Sequence, residues 1–379
     1  MQNHCEEAAV RVEEAKATFE AIGDRLGAAQ CKQSLGNVLR IQSHHEEAAV
    51  KFEEARATFE AIGDRLGTTQ CTRSLGEVLL MQNHCEEAAV RVEEAKATFE
   101  AIGDRLGAAQ CKQSLGNVLR IQSHHEEAAV RVEEAKATFE AMGDRLGAAH
   151  CTRILGEVLR MQNHCEEAAV RIEEARATFE AIGDRCAVAQ CMLHLGRMLC
   201  SQLRYAEATE TLAEATSIFG NLDNNLGKAW CKRILGDVQY GQGSYTEATR
   251  NLEEAKAIFE TIGSRSGTAE CAHSLGNVLG GQHRYEDAIR QLEEANAVFV
   301  SIGDRNSEAA CDRSLADVLS GQGRHAEAEA VLIQARELYE EIKLPKMVGE
   351  CTEVLARLRS KAVEVAGSTA LSEQNAASP

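Results

Sequence analysis

The chain repeats itself every forty residues from Met1 to about Ser360, and this period constrains its fold more than any other property. A length of 379 residues would ordinarily suggest two or three globular domains, but a fixed period argues for one extended array. Nine frames follow, 1–40, 41–80, 81–120, 121–160, 161–200, 201–240, 241–280, 281–320 and 321–360. Met1–Arg40 is identical to Met81–Arg120, and Ile41–Leu80 closely matches Ile121–Arg160, so the array grew by duplication of eighty residues. From Cys186 onward the copies diverge but keep the frame.

The unit reads as two helices. Between Arg25 and Gln42, Ala28, Cys31, Leu35, Val38 and Leu39 fall at helical spacing, with Asp24 at the N-cap; this is helix A. Helix B runs from about His45 to Ile62, with Ala48, Phe52, Ala55, Phe59 and Ile62 on one face. Gly63 suits the left-handed residue that closes a helix, and Asp64 caps the next one. The turn around Ser43 is short, which makes A and B antiparallel. Two prolines and a wealth of strong helix formers favour an all-α chain, and no strand pattern competes.

Some positions hold through the divergence. Leu35 recurs to Leu355, Gly36 recurs to Gly276 before becoming Ala316 and Ala356, Ala48 and Ala55 recur in all nine copies, and Phe59 ends as Tyr339. With Leu35 and Gly36 on helix A and Ala48, Phe52 and Ala55 on helix B, the unit resembles the tetratricopeptide repeat; GQGSYTEA, from Gly241 to Ala248, is closest to that pattern. That family's usual period is 34 with a proline after helix B; the forty-residue form with a Gly-Asp junction is similar to the arrays of kinesin light chains, spindle-orientation adaptors and the sensor arms of STAND-type NTPases. The resemblance implies an α-solenoid of antiparallel helix pairs, a right-handed superhelix with a concave groove lined by helix A.

On helix A, the side opposite Cys31, Leu35 and Val38 carries Gln30, Gln33, Asn37 and Arg40, which share one face. The same positions hold Gln70, Arg73 and Glu77; Gln110, Gln113, Asn117 and Arg120; and His150, Arg153, Glu157 and Arg160. Later copies supply Arg197; Trp230, Arg233, Asp237 and Tyr240; His273 and Asn277; and Arg313 and Asp317. Amides and guanidiniums at this spacing suit the backbone and carboxylates of an extended peptide. The plainer reading is a helix face that merely meets solvent. Trp230 and Tyr240 are the candidate anchors, although Trp230 is equally suited to packing between repeats. The lysine and asparagine clamp by which some family members hold a terminal carboxylate is not reproduced.

The formal net charge of −18 comes largely from Glu pairs on helix B such as Glu53 and Glu54, a solvated face or a field that steers basic partners. A nucleic-acid backbone would be repelled. The N-terminus lacks a signal-peptide core and no apolar run approaches the ~18 residues of a membrane span, so the expectation is a cytoplasmic chain. Nine of the fourteen cysteines, Cys31 to Cys351, occupy one position of helix A, too far apart across repeats for disulfides, and read as small buried hydrophobes. His4, His44, His84, His124 and His164, each followed by Cys5, His45, Cys85, His125 or Cys165, read as turn residues, and no metal site is expected from them. GNLDNNLGKA, from Gly220 to Ala229, has the wrong glycine spacing for a phosphate loop. No enzyme activity, cofactor or small-molecule substrate is expected.

Met1 opens within a helix B that lacks its helix A, so the chain is expected to be the end of a longer protein or a shortened gene product. Pro345 starts a last helix A to about Ala366, and 367–379 is expected to be a disordered tail after a repeat array of 1–366. Two functions fit: a scaffold whose groove binds a peptide or helix of a protein partner, or the sensor arm of a larger STAND-type NTPase. A drifting array with no fixed partner is the bland alternative.

Overall fold

The computed structural model describes the backbone of residues 2–376 except 43 and 83, and the side chains of residues 7–360 except 8, 41, 43 and 83. Among the described residues there are eighteen helices and no strand. The first nine are α1 (Gln2–Ala21), α2 (Arg25–Ile41), α3 (His45–Ile62), α4 (Arg65–Met81), α5 (Cys85–Ile102), α6 (Arg105–Ile121), α7 (His125–Ala141), α8 (Arg145–Met161) and α9 (Cys165–Ile182). Then come α10 (Arg185–Ser201), α11 (Tyr205–Asn221), α12 (Asn225–Gly241), α13 (Tyr245–Thr261), α14 (Arg265–Gly281), α15 (Tyr285–Ile302), α16 (Arg305–Gly321), α17 (His325–Glu341) and α18 (Pro345–Ala376). Even-numbered helices are of type A and odd-numbered ones of type B.

The junctions are set by local chemistry. Gly63 closes α3 at φ +77, and the Asp64 carboxylate accepts the Gly67 amide hydrogen at 3.0 Å to open α4. Asn224 and Ser264 take the same capping role where aspartate is lost. The turn from A to B also needs a left-handed residue, and glycine supplies it only at Gly243 and Gly323; Ser123, Asn163, Leu203 and His283 adopt φ of 61–67° there.

The core is a repeated interlock. Phe52, Phe59, Phe99, Phe139, Phe179, Phe219, Phe259 and Phe299 are buried, as is Tyr339 at the same position as Phe59. Six of them, Phe52, Phe59, Phe99, Phe139, Phe219 and Phe259, lie against glycines of the A helices: a Cβ on Gly67 would stand 2.5 Å from the Phe59 ring; likewise one on Gly116 would stand 2.3 Å from Val132 Cγ2. Those distances are why the glycines recur in helix interiors, where they otherwise weaken the helix by about 1 kcal/mol relative to alanine. The recurrent cysteines are buried as free thiols, and burial pushes those of Cys71, Cys111, Cys151, Cys191, Cys271 and Cys311 up to about 12. They are inert packing groups.

Neighbouring helices pack in chain order, and A helices also meet the A helix of the next repeat, as α10 meets α12 and α12 meets α14. Among the described residues the B helices make no comparable contact with one another, which places the A helices on the inside of the curve. Successive turns of the coil approach each other where Lys343 Nζ lies 3.2 Å from Glu126 Oε2, 217 residues away, between five and six repeats. α18 continues to Ala376, past Ala366 where the sequence reading ends the helix; residues 377–379 lie outside the described residues, as do the side chains from Lys361 onward.

Candidate peptide-binding groove

The inward stripe of each A helix is built from residues three, four and three apart, so these side chains stack from repeat to repeat along the inner wall. Gln30 is exposed; Gln33, Asn37, Arg40, Arg73, Glu77, Gln113, Asn117 and Arg120 are half-buried. Further along, Arg153, Arg160, Arg197, Trp230, Asp237, Asn277 and Arg313 are half-buried, and Glu157 and Arg233 are buried. The wall is not a row of free side chains, because most of them bind one another across repeats.

In the first repeats Gln33 donates to Gln70 at 3.3 Å, and Arg40 and Arg73 both reach Glu77, at 3.8 and 3.3 Å. Arg120 bridges back to Asn117 at 3.5 Å and forward to Glu157 at 3.5 Å. Glu157 is a hub: it also pairs with Arg153 on its own helix and meets His194 Nε2 at 3.1 Å. Burial outweighs the pull of Glu157 on His194 and lowers that ring to about 3, so it is neutral at pH 7. Burial raises the Glu157 carboxyl, but the guanidiniums of Arg120 and Arg153 outweigh this and hold it well below the usual carboxylate range.

Glu270 is the second hub, receiving Arg233 at 3.1 Å and Arg197 at 3.8 Å from two repeats away. Arg233 also pairs with Asp237 at 2.9 Å and donates to Ser274 at 3.4 Å. Trp230 packs edge-on against Phe259 with ring centroids 4.7 Å apart, while Arg197 and Arg233 stand 5.7 and 5.8 Å over its own ring. It therefore belongs to the inter-repeat packing and is roofed by cations. Tyr240 is the exposed aromatic, 38% accessible, beside Tyr245. His273 meets Ser314 at 2.9 Å and Asn277 at 3.5 Å, and Arg313 reaches Glu350 at 3.0 Å on α18.

Sequence reasoning missed two partners. Glu270 stands at the Gln30 position, which is neutral from Gln30 to Trp230, and carrying that position one copy further would have found it. His194 stands at the Ser34 position, between the inner stripe and the core, and had no periodic signal.

Charge on this wall is unbalanced. On the inward positions from Arg120 on α6 to α14, five guanidiniums (Arg120, Arg153, Arg160, Arg197 and Arg233) face three carboxylates (Glu157, Asp237 and Glu270), a net charge of +2. Burial lowers the half-buried rings of His150 and His273 to about 4, and they add no charge at pH 7. A chain of net charge −18 thus encloses a cationic inner wall. Among the described residues no group of three or more His, Cys, Asp or Glu could hold a metal ion, and no helix is long and apolar enough to cross a membrane.

A family profile described as tetratricopeptide repeat matches residues 187–261, 235–299 and 268–341. Residues 187–341 carry tetratricopeptide repeats. The earlier copies share their frame, their interlocking Gly and Phe positions and their helix pairs. Comparison with curated proteins finds no match. Among solved structures the chain is similar to a Rap protein complexed with Competence and Sporulation Factor, at 15% identity and TM-score 0.59, over 89% of this chain and 99% of that one. It is also similar to the Rap conjugation gene regulator of the plasmid pLS20 in complex with a Phr peptide, at 13% identity and TM-score 0.64, over 90% and 96%. A third similarity is to a STAND protein with a tetratricopeptide repeat sensor from Pyrococcus horikoshii, at 15% identity and TM-score 0.51; it covers 94% of this chain and 55% of that one. At these identities the likeness is one of fold: an all-helical solenoid of the tetratricopeptide repeat type.

Proposed function

We propose that the chain is a non-enzymatic scaffold whose inner wall binds an extended peptide of a protein partner. The observation that carries this reading is the continuous inward stripe of guanidinium, amide and aromatic groups on consecutive A helices, with Tyr240 exposed beside it. Two structures similar in fold are described as complexes with Competence and Sporulation Factor and with a Phr peptide, which supports a peptide as the class of ligand. Nucleic acid and membrane are set aside on the net charge and the lack of a long apolar helix among the described residues. Replacing Arg120 and Arg160 by glutamate should abolish capture of protein partners from a lysate while the far-ultraviolet circular dichroism stays unchanged. Undiminished capture by the double variant would sink the groove assignment.

The similarity to a STAND protein with a repeat sensor favours a second reading, a sensor arm of a larger NTPase. The coding sequence upstream of Met1 decides between them. A phosphate-binding loop in the same frame supports the sensor arm, and a stop codon without one supports the free scaffold.

A further inference from the structure

Arg160 is the member of the inner wall that the ion-pair ladder leaves out. Its neighbours Arg120, Arg153, Arg197 and Arg233 each have a carboxylate within 4 Å, whereas no ion pair or hydrogen bond of the Arg160 side chain is found among the described residues. Its Nε, like those of Arg153, Arg197 and Arg233, is shut off from solvent without a hydrogen-bond partner, but Arg160 alone among them has no ion pair to offset this among the described residues. The surroundings compensate only in part: burial first, and then the facing charge of Arg197, push the guanidinium down to about 10 against the opposing pull of Glu157 and Glu270. A desolvated, unneutralised arginine is a costly group to retain, and it sits where the wall carries the excess positive charge counted above.

We infer that Arg160, with Arg197 beside it, forms the subsite that receives an anionic side chain of the bound peptide, a carboxylate or a phosphoryl group. Planar guanidinium donors suit either anion, and in a half-buried site the charge-assisted bonds are stronger than neutral ones. The anion would supply the close ion pair that Glu157 and Glu270, engaged with other arginines, do not. The acidic B helices face outward, so an anion gains only by reaching the interior; the subsite therefore selects for a ligand that enters the coil. This inference rests on the groove reading above.

The test uses the whole chain on an array of random twelve-residue peptides, each made in matched versions with Asp, Asn, phosphoserine or Ser at one position. The expected result is a set of retained peptides for which Asp or phosphoserine binds at least tenfold more tightly than its neutral counterpart. The ratio between the two anions tells carboxylate from phosphoryl recognition. Arg160→Gln should erase that preference, Arg160→Lys should keep much of it, and Arg290→Gln, whose arginine lies on the B helix α15 and pairs with Asp287 at 2.7 Å, should leave it unchanged. Arg160→Gln should also raise the melting temperature, which a residue serving only the fold would not do. Peptides retained without an anion preference, or with one that survives Arg160→Gln, overturn the inference and leave the groove reading standing. Retention of no peptide by the unaltered chain overturns both.

Discussion

At the scale of single residues, the near-identical copies act as built-in controls, because one position can be compared across repeats. Leu203 holds φ at +61 and is 71% exposed, whereas Gly243 and Gly323 supply the same left-handed turn without a Cβ. The left-handed conformation costs a leucine roughly 1–2 kcal/mol, partly offset by the greater freedom of glycine in the unfolded chain. Leu203→Gly should therefore stabilise the chain by up to about 1 kcal/mol, read from the urea midpoint; a lower midpoint would contradict the strain. His125 offers a second comparison, since Cys85 fills its position one copy earlier. Its ring nitrogens are buried without partners, and burial, then the charges of Arg120 and Arg160, push its pKa down to about 4. The unfolded ring takes a proton near pH 6.5 while the folded ring resists until about 4, so stability falls as pH drops through that interval and is flat above it. Depressed carboxylates such as Glu157 titrate lower and do not interfere between pH 7 and 5. His125→Cys should lose less stability between those values than the unaltered chain, measured by urea unfolding at each pH. Neither feature was legible in the sequence, where His125 reads as a copied turn residue and the short turn between helices A and B gives no sign that Leu203 takes the left-handed position. The burial of Cys31 and its repeats was legible, because a strict forty-residue recurrence on the apolar face of helix A leaves no other role.

At the scale of the helix, period and caps determined nearly everything. Helix B was expected from His45 to Ile62 and α3 spans His45–Ile62, because Gly63 and Asp64 stop one helix and start the next in two residues. The helix interiors add a test of why glycine persists there. Gly116 faces Val132, with the backbone oxygen of Ala128 also within 3.4 Å of an added Cβ, whereas an added Cβ on Gly349 in α18 meets nothing within 4 Å. Gly116→Leu should overpack the A–B interface and destabilise by about 1–3 kcal/mol. Gly349→Ala should strengthen its helix by up to about 1 kcal/mol. Thermal unfolding of the two variants checks the pair, and equal shifts of the same sign would refute the contact argument. What helix periodicity could not reveal is pairing across repeats. The stripe from Gln30 to Arg40 was assigned to one face, but whether Arg120 meets a ligand or Glu157 depends on the stagger between α6 and α8, and no single helix encodes that stagger.

At the scale of the whole molecule, stability is a chain of nearest-neighbour interfaces, since helices pack on their sequence neighbours and A helices on the next A helix. The ion pair between turns, Lys343 with Glu126, is exposed, and an exposed pair of this kind contributes little; the turns also face each other across a cleft between His44–Glu47 and Thr261–Arg265. Damage should therefore stay where it is made unless it severs the stack. Leu155 and Leu355 occupy the same position of the unit and are 5% and 2% exposed, so truncating either leaves a similar cavity worth about 2–5 kcal/mol. Their surroundings differ: α8 is packed between α7 and α9 and sits at the Glu157 hub, whereas α18 packs on α17. Leu355→Ala should speed amide hydrogen exchange in α17 and α18 and leave the rest of the array protected. Leu155→Ala should weaken protection on both sides of α8, through α6 and α10, because Arg120 and His194 lose the carboxylate that ties their helices together when α8 opens. Exchange followed by mass spectrometry reads both patterns. A uniform loss of protection in either variant would mean that the array unfolds as one cooperative body, and the wall of ion pairs would then have to couple repeats far more strongly than their packing does.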